Sequence, residues 1–334
     1  MRKYILSWIA LICLSCVGSS NFLVYSASPN PIQEIILNGE VMNPPFEIIR
    51  VNDELLVPLR WFANAMGASS VNWNHKEQTV TVVVDDFRKS RQYLSYLSGL
   101  ESASEDYPLA KRLQHLKLPP YPLHSQNPIM IHKSPINLTI TSGEMTMPWA
   151  IYDYTFINGT LYVGTDWLNI LFLAQIENSP TTLSIIYPTA NELTQSIAEF
   201  ESLTTPRSPE EAIALWIHGQ QYRNGALQYS ALSPKLKEQA LSHTSTQGWV
   251  TGGSTPSLEE ATITSNFPID DNTFIYEIEV RERTAPNEYS QIHQTITIQK
   301  YTINNADYWL INNVTGDLDY YTVLPSTSSF HGNI

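Results

Sequence analysis

The stretch Val51 to Val84, VNDELLVPLRWFANAMGASSVNWNHKEQTVTVVV, constrains the chain most, because a fainter version returns about a hundred residues later. Glu54-Leu55-Leu56-Val57 reads as a short apolar strand entered through the turn-forming pair Asn52-Asp53 and ended by Pro58. Leu59, Phe62, Ala63 and Met66 then fall at the spacing of one helical face, and Gly67 stands where a left-handed C-cap is wanted. Val71 and Trp73 alternate with polar residues, Asn74 to Glu77 is turn-like, and Thr79 to Val84 is a β-branched strand. The predicted unit is strand, short helix, hairpin.

The second occurrence sets Ile157 through Leu168 over Val51 through Phe62 without a gap, and Thr182-Leu183-Ser184-Ile185 over Thr79 through Val82. Gly164, Thr165 and Asp166 replace Pro58, Leu59 and Arg60, so a role resting on Arg60 is not shared. Arg60 itself is read as an internal ion-pair partner in preference to a ligand contact. Thr165 is expected to cap a helix carrying Leu168, Leu171 and Phe172. The fold class expected is α+β, with a duplicated, β-rich module made of half-modules 30–84 and 129–188. Between them lies an insert, 85–128, read as one or two helices interrupted by Gly99 and Pro108, then a connector rich in proline (Pro119, Pro120, Pro122, Pro128).

Several short motifs occur in order: Leu37-Asn38-Gly39, Val57-Pro58-Leu59-Arg60, Ala65-Met66-Gly67-Ala68, Val71-Asn72-Trp73-Asn74 and Thr79-Val80-Thr81-Val82. With them, residues 30–188 resemble the copper amine oxidase-like N-terminal domain, or stalk domain, of secreted Firmicutes proteins. The resemblance implies the non-catalytic stalk, not the oxidase. The oxidase chemistry needs a tyrosine that follows asparagine and a closely spaced histidine set, and the chain has no Asn-Tyr dipeptide. His75, His115, His124, His132, His218, His243, His293 and His331 are scattered. No catalytic residue, metal ligand or cofactor is expected.

Ala190 to Leu203 reads as a helix with Leu193, Ile197 and Phe200 on one face, and 189–206 as helix plus linker. Ser208-Pro209-Glu210-Glu211 combines an N-cap, a first-turn proline and a capping glutamate, followed by the amphipathic run Ala212, Ile213, Trp216, Ile217. Asn224-Gly225 ends that helix, and 226–232 and 234–243 supply more. From Glu260 the period becomes two: Phe274, Tyr276, Ile278 and Val280 share one face, Ile292, Ile296 and Ile298 another, and Tyr308 to Ile311 closes the series. Helices followed by an antiparallel sheet make 207–322 similar to nuclear-transport-factor-like domains, with 323–334 as a tail. That cone-like fold often leaves a pocket, and Trp216, Tyr222, Tyr229, Trp249 and Trp309 are the residues that would line one. Core packing is the competing fate of these aromatics. The alternative enzymatic reading draws on Asp307, Tyr222, Tyr229 and His218 for proton abstraction, although Asp307 reads more simply as a turn residue.

The first 27 residues have the form of a secretory signal peptide, with Arg2-Lys3 before the apolar run Tyr4 to Val17 and small residues after it. Cys13 and Cys16, the only cysteines, lie inside it, so a mature chain cut near Ser26 to Ser28 holds no disulfide; a lipid anchor on Cys16 is the lesser alternative. Without residues 1–27 the chain carries 17 basic and 32 acidic groups, a net charge of −15. That surface disfavours nucleic acid and anionic lipid, and no stable membrane span is expected after cleavage. The expectation is a non-enzymatic exported envelope protein of Gram-positive type, a structural or binding scaffold whose partner is an envelope protein, a glycan or a small ligand. A small-molecule-binding or enzymatic cone domain and a cell-wall glycan-binding or sensing protein are the alternatives. Trp61, Trp73 and Trp167, at related places in the two half-modules, serve packing on the first view and glycan stacking on the last.

Overall fold

The chain alternates turn-marked strands with a few short helices, and the computed structural model is accordingly α+β. It describes residues 32–51, 54–101, 131–132, 134–247, 249–251, 257–317 and 322–324. The signal segment with Cys13 and Cys16, the turn pair Asn52-Asp53, the proline-rich connector with Pro108, His115, His124 and most of the tail with His331 lie outside the described residues.

The first stretch contributes β1 (Glu34–Leu37), β2 (Glu40–Met42), β3 (Ile49–Val51), β4 (Glu54–Pro58), α1 (Leu59–Ala65), β5 (Ser70–Asn74), β6 (Thr79–Val83) and α2 (Phe87–Glu101). Asn38 and Gly39 both take positive φ, 47° and 84°, which is what a two-residue hairpin demands. Leu59, Phe62, Ala63 and Met66 are buried, and Gly67 turns the chain at φ 103° as its position predicts. The second stretch contributes β7 (Ile136–Ser142), β8 (Met145–Ile151), β9 (Tyr154–Ile157), β10 (Thr160–Gly164), α3 (Asp166–Phe172), β11 (Gln175–Asn178) and β12 (Thr182–Ile186). Thr165 does precede α3, but it has helical dihedrals and its side chain makes no capping bond. Its residue type favoured capping; its backbone, already wound into the helix, does not present the hydroxyl to the next turn.

These strands do not close within either stretch. One sheet runs β11-β12-β1-β2, another β5-β6-β7-β8, and a third β3-β4-β10-β9. In the first two, a hairpin of one stretch meets a hairpin of the other in parallel, Glu34 beside Thr182 and Thr79 beside Asn137. In the third, β4 and β10 run antiparallel, with Val57 opposite Val163, Leu56 opposite Gly164 and Pro58 opposite Tyr162. All three sheets are thus stitched across the chain, and their inward faces share one core with α1 and α3, including Val57, Phe62, Val80, Ile140, Val163, Leu168 and Leu183.

The helix α2 runs unbroken through Gly99, contrary to the expected interruption. A Cβ at position 99 would sit 2.6 Å from both Asn224 Nδ2 and Leu227 Cδ1, so this glycine permits close helix packing and does not stop the helix. Phe87 at its start is buried in the first core, whereas Tyr93, Tyr96 and Leu97 are buried in a second one. That second core is built by α4 (Ala190–Thr204), α5 (Pro209–Gln221), α6 (Gly225–Ala231) and α7 (Pro234–Gln247) against the meander β13 (Ser257–Asp270), β14 (Thr273–Ala285), β15 (Glu288–Ile303) and β16 (Ala306–Gly316). Tyr276, Ile278, Val280, Ile296 and Ile298 supply its sheet face, as their alternation predicts. Ser208 accepts the Glu211 amide and opens α5. Thr189 and Glu192 form a complete capping box at α4, a T-x-x-E signature legible in the sequence but not drawn on there. Asn224 ends one helix by capping the next, accepting the Leu227 amide.

Candidate functional site

The aromatic residues expected around a cone pocket come to rest in different settings. Trp216, on α5, is fully buried, and its indole donates to Gln294 Oε1 at 3.2 Å. Gln294 also accepts from Gln220 at 3.0 Å and donates to the Asp317 carbonyl at 3.2 Å, so Trp216 and Gln220 share one acceptor in the apolar core, while Gln220 Oε1 is buried without a hydrogen-bond partner among the described residues. Tyr229 and Trp249 are buried edge to face at 5.2 Å, and the Trp249 indole donates to the Arg88 carbonyl of α2. Burial, with the Glu201 charge added, pushes the Tyr229 hydroxyl up to about 12. Trp309 packs edge to face on Phe274 at 5.5 Å. Tyr222 is 53% exposed and lies against the His218 ring at 4.4 Å.

Of the residues of the enzymatic alternative, the structure brings together only His218 and Tyr222. His218 is buried, which lowers its pKa despite a contact with the Gly99 carbonyl at 3.4 Å. Asp307 is on the exposed end of the β15–β16 hairpin, where Lys300 Nζ reaches it at 2.6 Å and the Thr302 hydroxyl donates to it at 2.7 Å. The Lys300 bond holds its carboxyl below the usual range. Among the described residues, no three His, Cys, Asp or Glu side chains are grouped as a metal site.

In the first core's rim, Trp61 packs between Phe46 and Phe62, and Trp167 is buried with its indole donating to Asp153 Oδ1 at 2.8 Å. Trp73 is partly exposed. It joins a row of rings across two edge strands: His75 at 5.8 Å, Phe156 at 5.2 Å, then Tyr154 6.2 Å beyond Phe156 and His132 4.3 Å beyond Tyr154. Phe156, 41% exposed, is the most open of the apolar rings.

A feature that the sequence reading missed lies where the second stretch departs from the first. The connection between β8 and β9 places Asp153 over Gly164, and β4 brings Glu54 to the same spot from the other stretch. Asp153 is 1% exposed, and Glu54 is raised to about 7 by burial first and then by the charges of Asp153 and Asp166. The available signal was the glycine itself: nothing in its strand needs a positive φ, so its missing side chain had to be making room.

Comparison with known proteins identifies part of this architecture. The copper amine oxidase N-terminal domain family matches residues 36–90. That domain is a non-catalytic part of its family. The matched stretch takes in the end of β1 and all of β4 and β6, each of which takes one of its neighbours from residues beyond the match. No curated protein and no solved structure matches the chain significantly. No helix among the described residues is long and apolar enough to cross a membrane.

Proposed function

We propose that the chain is a non-enzymatic exported cell-envelope protein, in which the duplicated stalk module and the nuclear-transport-factor-like part form one rigid structural or binding scaffold. The observation that carries this is the filled second core. Trp216, Tyr276, Ile278, Ile296 and Trp249 pack into one buried cluster where an open cone would leave space to a ligand, and Trp216 and Gln220 both bond to Gln294 there. A side chain already bonded inside a packed core is poorly placed to exchange protons with a substrate. The partner on this reading is an envelope protein, a glycan or a small ligand, and the acidic surface disfavours nucleic acid. Fractionating cells that express the tagged chain tests export. Recovery outside the cytoplasm with an N-terminus near Ser26 to Ser28 is expected, and a full-length cytoplasmic product would overturn it.

One observation favours the glycan-binding reading of the same scaffold: the ring row from His75 through Trp73, Phe156 and Tyr154 to His132 stands at the margin of the stalk part. Rings in such a place offer stacking faces to sugars. Sedimentation with purified peptidoglycan separates the two readings. Pelleting of the wild-type chain that is lost in Phe156→Ala supports the glycan reading, while a chain that stays in solution leaves the scaffold reading alone.

A further inference from the structure

Two carboxyl groups from different stretches of the chain meet over Gly164. A Cβ at that position would lie 2.1 Å from Asp153 Oδ2 and 2.7 Å from Glu54 Oε1, so both oxygens crowd one point. The surrounding backbone holds them there: the Gly164 amide donates to the Asp153 carbonyl at 3.0 Å and the Thr165 amide to the Leu55 carbonyl at 3.2 Å. Trp167 fixes the other Asp153 oxygen, Oδ1, at 2.8 Å. Asp153 Oδ2 and Glu54 Oε2 are both buried with no hydrogen-bond partner among the described residues. The charges that act on the pair are their own and that of Asp166 at the start of α3, all negative. Two ionised carboxylates in such a place would repel each other with Asp153 Oδ2 and Glu54 Oε2 left unpartnered, whereas one proton between them removes a charge and supplies a hydrogen bond.

We propose that Glu54 and Asp153 hold a single proton between them and form an acid-favoured clamp across the two stretches of the stalk part, loosening as the surrounding pH rises. With the proton in place, the Glu54 carboxyl donates to the Asp153 carboxylate and ties β4 to the β8–β9 connection. When the proton is lost to solvent, two facing carboxylates remain and push these elements apart. Burial, then the Asp153 and Asp166 charges, raises Glu54 from 4.5 to about 7, and burial raises Asp153 against the opposing hydrogen bonds from Trp167 and the backbone. Because the folded state is the better proton binder, the clamp's contribution is complete below about 4.5, declines as pH rises through about 7, and is absent above that. If the chain is exported, as the reading above has it, the clamp faces the acidity of the medium.

Thermal unfolding of the full chain between pH 4.5 and 8.5 tests this with wild type, Glu54→Gln and Asp153→Asn. Wild type should lose melting temperature across the window with a linkage of about one proton. Glu54→Gln should flatten that loss and melt above wild type at pH 8. Parallel profiles, or a Glu54→Gln protein that melts below wild type at pH 8, would overturn the clamp. So would a calcium-induced rise in the wild-type melting temperature at pH 8 that Glu54→Gln abolishes, because the pair would then be a cation site. Should the variants fail to fold, a carboxyl-carbon NMR titration of wild type decides. One glutamate with a midpoint near neutrality is expected, and glutamates all titrating in the ordinary range would refute the proposal.

Discussion

Gly164 is a position where one missing methyl group determines what its neighbours do. In the first stretch its counterpart is Pro58; in the second, the bare backbone admits Asp153. Gly164→Ala should therefore destabilise the chain by about 1–3 kcal/mol through overpacking. Urea denaturation of the variant, of Asp153→Ala and of the double variant checks it: the two costs should be partly non-additive, since Asp153→Ala removes the nearer of the two crowding oxygens and leaves Glu54 Oε1, 2.7 Å from the new methyl, to give way. The same logic explains why the pair escaped the sequence reading. Asp166 was visible beside the departure, but Asp153 reaches the site from another strand connection, and Glu54 looked like the polar start of an apolar strand. Charge pairing across strands leaves no local pattern.

At the scale of elements, the features written in short-range code were legible. The Asn38-Gly39 hairpin, the buried face of α1, the Gly67 terminus, the Ser208 cap and the alternating core face of β14 follow from residues within a few positions of one another. Misreadings arose where a long-range contact reset a local preference. Gly99 carries the residue type of a helix stop, yet α2 passes through it because Asn224 and Leu227 press against its backbone. The destination of α2 was equally hidden: Tyr93, Tyr96 and Leu97 show an apolar face without saying which core it enters. Tyr96 stacks on Phe200 at 5.3 Å, and its hydroxyl shares a hydrogen bond with Ser230 at 2.9 Å. Tyr96→Ala should cost about 3–5 kcal/mol. Because α2 is anchored in both cores, that loss should lower one shared unfolding transition, seen alike by near-ultraviolet dichroism and intrinsic fluorescence, instead of splitting it in two. Gly99→Ala should act in the same direction by pushing α2 off α6, with hydrogen exchange rising in both helices.

For the whole molecule, the cross-stitched sheets make the two N-terminal stretches dependent on each other, and the doubly anchored α2 ties them to the C-terminal part. A fragment ending at residue 188 would leave Tyr93, Tyr96 and Leu97 without the core that covers them. It should bind a hydrophobic dye and aggregate where the full chain does neither. The complementary test introduces a specific protease site between residues 102 and 130 and cuts the folded protein there. The two pieces should co-elute under native conditions and part only in denaturant, because β1–β12, β4–β10 and β6–β7 all bridge the cut. Elution as two separate species would show that the ladders across the cut do not hold the fold together.

The parallel pairing of β1 with β12 also sets an order of events. Glu34 waits for Thr182, and Leu37 for Ile185, so β1, paired at once with β2 on one side, keeps its other edge open until β12 has been made. A ribosome releasing this chain from its N-terminus hands over hairpins whose outer edges stay unpaired until the second stretch emerges. Whatever holds the emerging chain unpaired during that interval governs its yield as much as the stability of the finished fold does.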